Sequence, residues 1–191
     1  MNKMDRMVGL TTNHYFEKGE GGIYCIHYQN QMDLDFNDVD SVCYVGSTRN
    51  YKRRFNQHQR GLKNGHGNKL LNKVGKAMKR NEQSAEFTKF LSLPRNGFPP
   101  QHYDRVIQAV EHWLIASFKS LHGIESEMFT EGDYVTHRVA NSSLPFKETA
   151  ENGHNLSILL SSYRNTLEDG ITKSILGSCI AFWQEFEWGD W

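Results

Sequence analysis

The chain has 191 residues, 38% of them hydrophobic, with 22 Lys+Arg against 22 Asp+Glu, a formal net charge of zero and three cysteines. That length can bury one real core, or a domain of about 100 residues with a sizeable extension. No apolar run reaches the ~18 residues of a membrane span, Met1 to Gly19 is charged without an apolar stretch, and Cys25, Cys43 and Cys179 lack CxxC spacing. These features argue against a membrane span, a signal peptide, a disulfide framework and a zinc site, so the expected location is the cytoplasm.

After a polar lead over residues 1–20, Gly22 to Tyr28 (GIYCIHY) alternates and is rich in β-formers; Val42 to Val45 reads likewise, and both are predicted strands. Between them Gln29 to Ser41 carries Asp33, Asp35, Asp38 and Asp40 and is predicted to be a solvated loop, since it lacks the glycine and terminal glutamate of an EF-hand. Asn50 suits the N-cap of a helix running to about Arg60 and ended by Gly61. A second helix fits Asn68 to Arg80, with Leu70, Leu71, Val74 and Met78 inward and lysines outward.

Ala85 to Leu93 reads as a third strand, and Pro94 to His102, with three of the four prolines, as irregular chain. From Tyr103 to Leu121 the residues Val106, Ile107, Val110, Trp113, Leu114 and Phe118 recur at helical spacing. His154 to Leu167 and Ile171 to Phe186 are also predicted helices, and the chain ends on an acidic-aromatic stretch from Phe182 to Trp191.

Zero net charge conceals an asymmetry. From Arg49 to Arg80 there are eleven Lys or Arg and no Asp or Glu, so half of the 22 basic groups occupy this one segment. A charge run is commonly a solvated face. One without acidic counterweights, next to groups able to do chemistry, also fits an electrostatic footprint for a polyanion.

Arg54 and His58 lie four apart on a predicted helix and point to one side, where they can grip one phosphate together. Glu111 shares a helix face with Ile107, Leu114 and Ile115, which sets a carboxylate on or beside an apolar stripe. Such a group must meet a cation or strong donors, or reach solvent at the stripe's edge. Tyr24 and Tyr44, taken alone, are equally strand aromatics packing across a sheet.

Taken in order, Gly22-Ile23-Tyr24, Tyr44-Val45-Gly46-Ser47, Arg54 eight residues after Gly46, His58 four beyond it, Gly65-His66-Gly67-Asn68 and Glu111-His112-Trp113 resemble the GIY-YIG nuclease family. The resemblance spans roughly Gly22 to Gly123. It implies an α/β (α+β) core, a small three-stranded, mainly antiparallel sheet flanked by helices, over residues 21–127, with 128–191 as a helical C-terminal extension. It also implies a DNA endonuclease of phage, mobile-element or restriction type, using one Mg²⁺ or Mn²⁺ per site and located in the host cytoplasm if phage-encoded.

Carried over residue by residue, the resemblance makes Tyr24 the base or water positioner, supported by Tyr44. Arg54 would stabilise the phosphate, with His58 or His66 assisting, and Glu111 would be the single protein ligand of the metal. Asn141 stands where a late family asparagine is sought. Arg49, Lys52, Arg53, Arg60, Lys63, Lys69 and Lys73 are the expected DNA contacts. A phenol titrates near pH ~10, so cations must favour its phenolate or it must pass its proton to His58. Double-strand cleavage would take a homodimer or two visits. The alternatives are a catalytically silent nucleic-acid-binding module of the same fold, a structure-selective repair enzyme, and a protein-interaction domain using the aromatic C-terminus.

Overall fold

Alternation in GIYCIHY and in DVDSVCYVGST sends successive side chains to opposite layers, and this parity organises the molecule. The computed structural model describes residues 9–31, 38–64, 75–76, 79, 84–122, 125–130, 133–139, 145–146 and 152–186. Its strands are β1 (Leu10–Thr11), β2 (Gly22–Gln31), β3 (Asp38–Thr48), β4 (Ala85–Ser92), β5 (Glu125–Thr130) and β6 (Asp133–Val139). Its helices are α1 (Tyr51–Asn64), α2 (Pro100–His122), α3 (Gly153–Arg164) and α4 (Ile171–Glu185).

The expected antiparallel three-strand core is β4-β2-β3. It is extended to a six-stranded sheet of order β1-β4-β2-β3-β6-β5, in which β1 joins β4 and β6 joins β3 in parallel. The β5/β6 hairpin was not foreseen. Its strands are short, and their alternation in ESEMFT and DYVTHRV is broken by polar residues.

Three expectations about boundaries are corrected. The acidic segment is not a long loop: β2 and β3 pair as far as Gln31↔Val39, so it enters the ladder from both sides. The alternating Asp38-Val39-Asp40-Ser41-Val42 carries the strand, and cross-strand pairing overrides the low strand preference of aspartate. Helix α1 does not stop at Gly61 but runs to Asn64. Leu62, 6% exposed, continues the buried stripe begun by Tyr51 and outweighs the cost of about 1 kcal/mol for an interior glycine. Helix α2 starts at Pro100, inside the segment expected to be irregular. A proline at the first helical position lacks only an N–H that would have no helical partner there. Of the second predicted helix, only residues 75, 76 and 79 are described, and they are helical.

One sheet face packs on α2, α3 and α4 through Ile23, Val45, Leu91, Val106, Val110, Leu156, Leu160, Leu176 and Trp183. The other packs on α1 through Tyr24, Ile26, Tyr51, Leu62 and Phe87, with Phe16 and Phe55 beside them. The C-terminal helices are tied to α2 by the Trp183 indole, which donates to the Ala109 carbonyl at 3.2 Å. Tyr163 donates to Pro94 O and Tyr103 to Leu93 O, each at 2.6 Å, joining α3 and α2 to the end of β4. Cys25 and Cys179 are free thiols packed in the first layer. Among the described residues no helix is long and apolar enough to cross a membrane.

Candidate active site

Register brings the two tyrosine motifs together. Tyr24 on β2 pairs with Gly46 on β3, and Tyr44, two residues from Gly46 and of the same parity, sets its ring centroid 6.2 Å from that of Tyr24. A glycine is required opposite Tyr24, because a Cβ at Gly46 would collide with the phenol's Oη and Cζ. The Tyr24 ring stacks on Phe87 of β4 at 4.7 Å and 11°. A bulge between Ile23 and Tyr24 in the β2/β4 ladder re-aims that ring. The Tyr51 hydroxyl lies 3.1 Å from Ile23 O and 2.8 Å from Leu91 O, supplying a donor where the ladder is disturbed.

Helix α1 brings the basic partners. Asn50 caps it as expected, its Oδ1 accepting from Arg53 N at 2.8 Å. One turn in, Arg54 Nε donates to Tyr24 Oη at 2.9 Å, and one turn further His58 Nε2 lies 2.7 Å from the same oxygen. A guanidinium can only donate, so the single phenolic proton is left for His58. In the neutral tautomer that carries its proton on Nδ1, His58 accepts the Tyr24 proton at Nε2.

Electrostatics agree with this assignment. Burial, followed by Arg54, depresses His58 to about 4, so it is neutral at physiological pH. Burial also pushes Tyr24 well above the usual phenol range, with Tyr44 adding to it and Arg54 only partly opposing. In the free protein Arg54 does not overcome the effect of burial, and Tyr24 is a neutral phenol hydrogen-bonded to His58, the arrangement that the second of the two expected routes requires. Burial alone would depress Arg54, but Tyr24 and Tyr44 outweigh it and keep the guanidinium charged.

The depressed His58 predicts a pH signature. Between its ordinary 6.5 and the folded value of about 4, the unfolded chain binds a proton that the folded chain refuses. Stability should thus fall as pH drops through that window and level off below it. The difference between wild type and His58→Gln, followed by denaturant midpoints, should shrink on acidification by on the order of 2 kcal/mol, after discounting for partial exposure. Parallel curves would contradict it.

Glu111 comes from α2, on the other side of the sheet. Ser47, across from Ile23 and of the parity of Val45, faces that side and donates its hydroxyl to Glu111 Oε2 at 2.5 Å. Burial raises the Glu111 carboxyl; Ser47 and then Arg54 pull it down without cancelling the shift. Glu111 in turn contributes to raising Tyr24. The carboxylate is thus electrostatically coupled to Tyr24 and Arg54.

Of the expected residues, Tyr24, Tyr44, Arg54 and His58 form one cluster, and Glu111 couples to it. His66, Asn141, Lys69 and Lys73 lie outside the described residues. Lys52, Arg53, Arg60 and Lys63 are exposed on α1, whereas Arg49 forms a two-point ion pair with Asp104 of α2. Sequence reasoning missed Ser47, Phe87 and Tyr51 as parts of the site. Strand parity could have pointed to Ser47, a polar residue aimed at the α2 layer.

The donor set suits a hard divalent cation. Glu111 is a partly buried carboxylate whose charge burial disfavours, and the described residues offer no group of three or more His, Cys, Asp or Glu that would compose a full cage. A single carboxylate completed by waters and phosphate oxygens fits Mg²⁺, which dehydrates reluctantly.

Residues 20–91 match the family model of the GIY-YIG catalytic domain. No curated protein and no solved structure gives a significant match. The matched span contains Tyr24, Tyr44, Arg54 and His58 but ends before α2, so Glu111 lies outside it. The domain indicates a nuclease acting on DNA, in a family that generally depends on a divalent metal. The shared motif order, the antiparallel core and the matched span make residues 20–91 similar to the GIY-YIG catalytic domain.

Proposed function

We propose that the chain is a divalent-metal-dependent DNA endonuclease of phage, mobile-element or restriction type, with Tyr24 as the proton-handling group. The observation that carries this reading is the Tyr24 hydroxyl held between Arg54 Nε at 2.9 Å and His58 Nε2 at 2.7 Å. In this geometry an attacking water gives a proton to Tyr24 Oη while the tyrosine's own proton moves to His58 Nε2. The new O–P bond forms as one ester P–O bond breaks, and the leaving ester oxygen takes a proton from solvent water. His58 is a weak base in the free protein, and a bound phosphate would strengthen it by favouring the imidazolium.

Arg54, fixed by Tyr24 and charged, meets the charge that develops on the phosphoryl oxygens. Glu111 would hold Mg²⁺ or Mn²⁺, one ion per site, which when bound supplies Lewis-acid stabilisation of the phosphate. Residues 21–127 are the proposed nuclease domain, with 128–191 as the extension. Lys52, Arg53, Arg60 and Lys63 on α1 would take phosphates flanking the scissile one, with Lys69, Lys73 and Arg49 as further contacts. His66 and Asn141 remain proposed members of the site. Cutting both strands would require a homodimer or two visits.

Separating binding from cutting tests this function. Glu111→Ala should lose metal-dependent cleavage by about 100-fold or more. Its DNA affinity should be unchanged or tighter, because a carboxylate facing phosphate has gone. Normal cleavage by Glu111→Ala would remove the carboxylate's role. Salt-sensitive binding without cleavage by the wild type would identify a silent binding module.

A further inference from the structure

The strand residue after Gly46 is placed to control Glu111. Ser47 lies on β3 with the parity of Ile23 and Val45, so its side chain turns from the tyrosine cluster toward α2. Its hydroxyl meets Glu111 Oε2 at 2.5 Å. Among the described residues Ser47 is the hydrogen-bond donor to this group. Serine and glutamate are 64 positions apart, on a strand and a helix that enclose one core layer.

Such a contact has a consequence for a metal ligand. A long, rotamer-rich glutamate is free to swing unless one oxygen is pinned. The serine hydroxyl commits Oε2, which leaves Oε1 to face a cation. A group that binds a ligand rather than the ion usually sets the ligand's orientation, and losing it typically costs about 10–100-fold in metal affinity or activity.

Resting on the nuclease reading above, we propose that Ser47 is a positioning residue, whose hydroxyl orients the Glu111 carboxylate to present one oxygen to the divalent cation. It touches neither substrate nor the reacting atoms, so its effect belongs in the metal dependence and not in DNA affinity. Ser47→Ala keeps the backbone N–H and removes only the hydroxyl. Ser47→Thr restores a hydroxyl at a strand position that tolerates β-branching.

Two measurements together test it. Mn²⁺ binding is followed by loss of the free-ion electron paramagnetic resonance signal, on protein bound to a short DNA duplex in a Tyr24→Phe background that suppresses cutting. The apparent Mg²⁺ constant for cleavage is measured with Tyr24 intact. Ser47→Ala is expected to weaken Mn²⁺ binding and raise the Mg²⁺ constant by about tenfold or more, with DNA affinity unchanged and Ser47→Thr recovering most of the loss. A Ser47→Ala protein that binds Mn²⁺ and responds to Mg²⁺ like the wild type overturns the positioning role and leaves the nuclease reading standing. Absence of both metal binding and cleavage in the wild type would overturn the nuclease reading, and this inference with it.

Discussion

Tyr24→Phe is expected to cut the cleavage rate by about 10²–10⁴-fold, the range for losing a positioned proton-transfer group. DNA affinity should stay within about twofold, because the phosphate-gripping cations remain on α1. The ring keeps its stack on Phe87, so the protein should fold. What goes is the single oxygen that accepts from Arg54 and donates to His58. Removing it leaves two polar atoms in a partly buried site without their partner, and stability should fall by about 1–3 kcal/mol. Single-turnover cleavage with enzyme in excess reads the first effect, and denaturant unfolding the second. A Tyr24→Phe protein that cuts within a few-fold of wild type would transfer proton handling to another group.

Gly46→Ala should be nearly as damaging, for a geometric reason. The added methyl would occupy the space of the Tyr24 hydroxyl, and that tyrosine has nowhere to go, held by Phe87, Arg54 and His58. Overpacking of this kind costs about 1–3 kcal/mol. A displacement of the phenol by about 1 Å is enough for a rate loss near 100-fold. Gly177→Ala is the matched control: no neighbour lies within 4 Å of its Cβ position in α4, and it should stabilise by about 0.5–1 kcal/mol without touching activity. Wild-type activity in Gly46→Ala would mean that the hydroxyl need not stay where the structure sets it.

Local chemistry explains which features were readable in advance. Asn50, Arg54 and His58 announce a capped helix with two polar groups on one side, and they occupy those roles because helical spacing is a property of the chain itself. Alternation likewise marked β2, β3 and β4. Gly61, Asp38 and Asp40 misled, because their intrinsic preferences were outweighed by a buried Leu62 and by a ladder running to Gln31↔Val39.

Contacts between distant segments were not legible. Nothing in the order of residues says that Ser47 will meet Glu111, or that Trp183 will hold the Ala109 carbonyl two residues before it. The protonation of Tyr24 belongs to the same class. Two routes stood open for a tyrosine base, a phenolate favoured by cations or a proton passed to His58, and burial, which only the fold determines, raises the phenol and keeps His58 neutral. The six-stranded sheet is a further case, since β6 joins β3 in parallel after a long intervening chain.

Conversion of supercoiled plasmid to nicked circles by the wild-type chain, in Mg²⁺ and in EDTA, tests the central claim most directly. The account predicts nicking in Mg²⁺ that stops in EDTA and is absent from a parallel Tyr24→Phe sample. Plasmid that stays supercoiled in Mg²⁺, although the protein binds it, would contradict it.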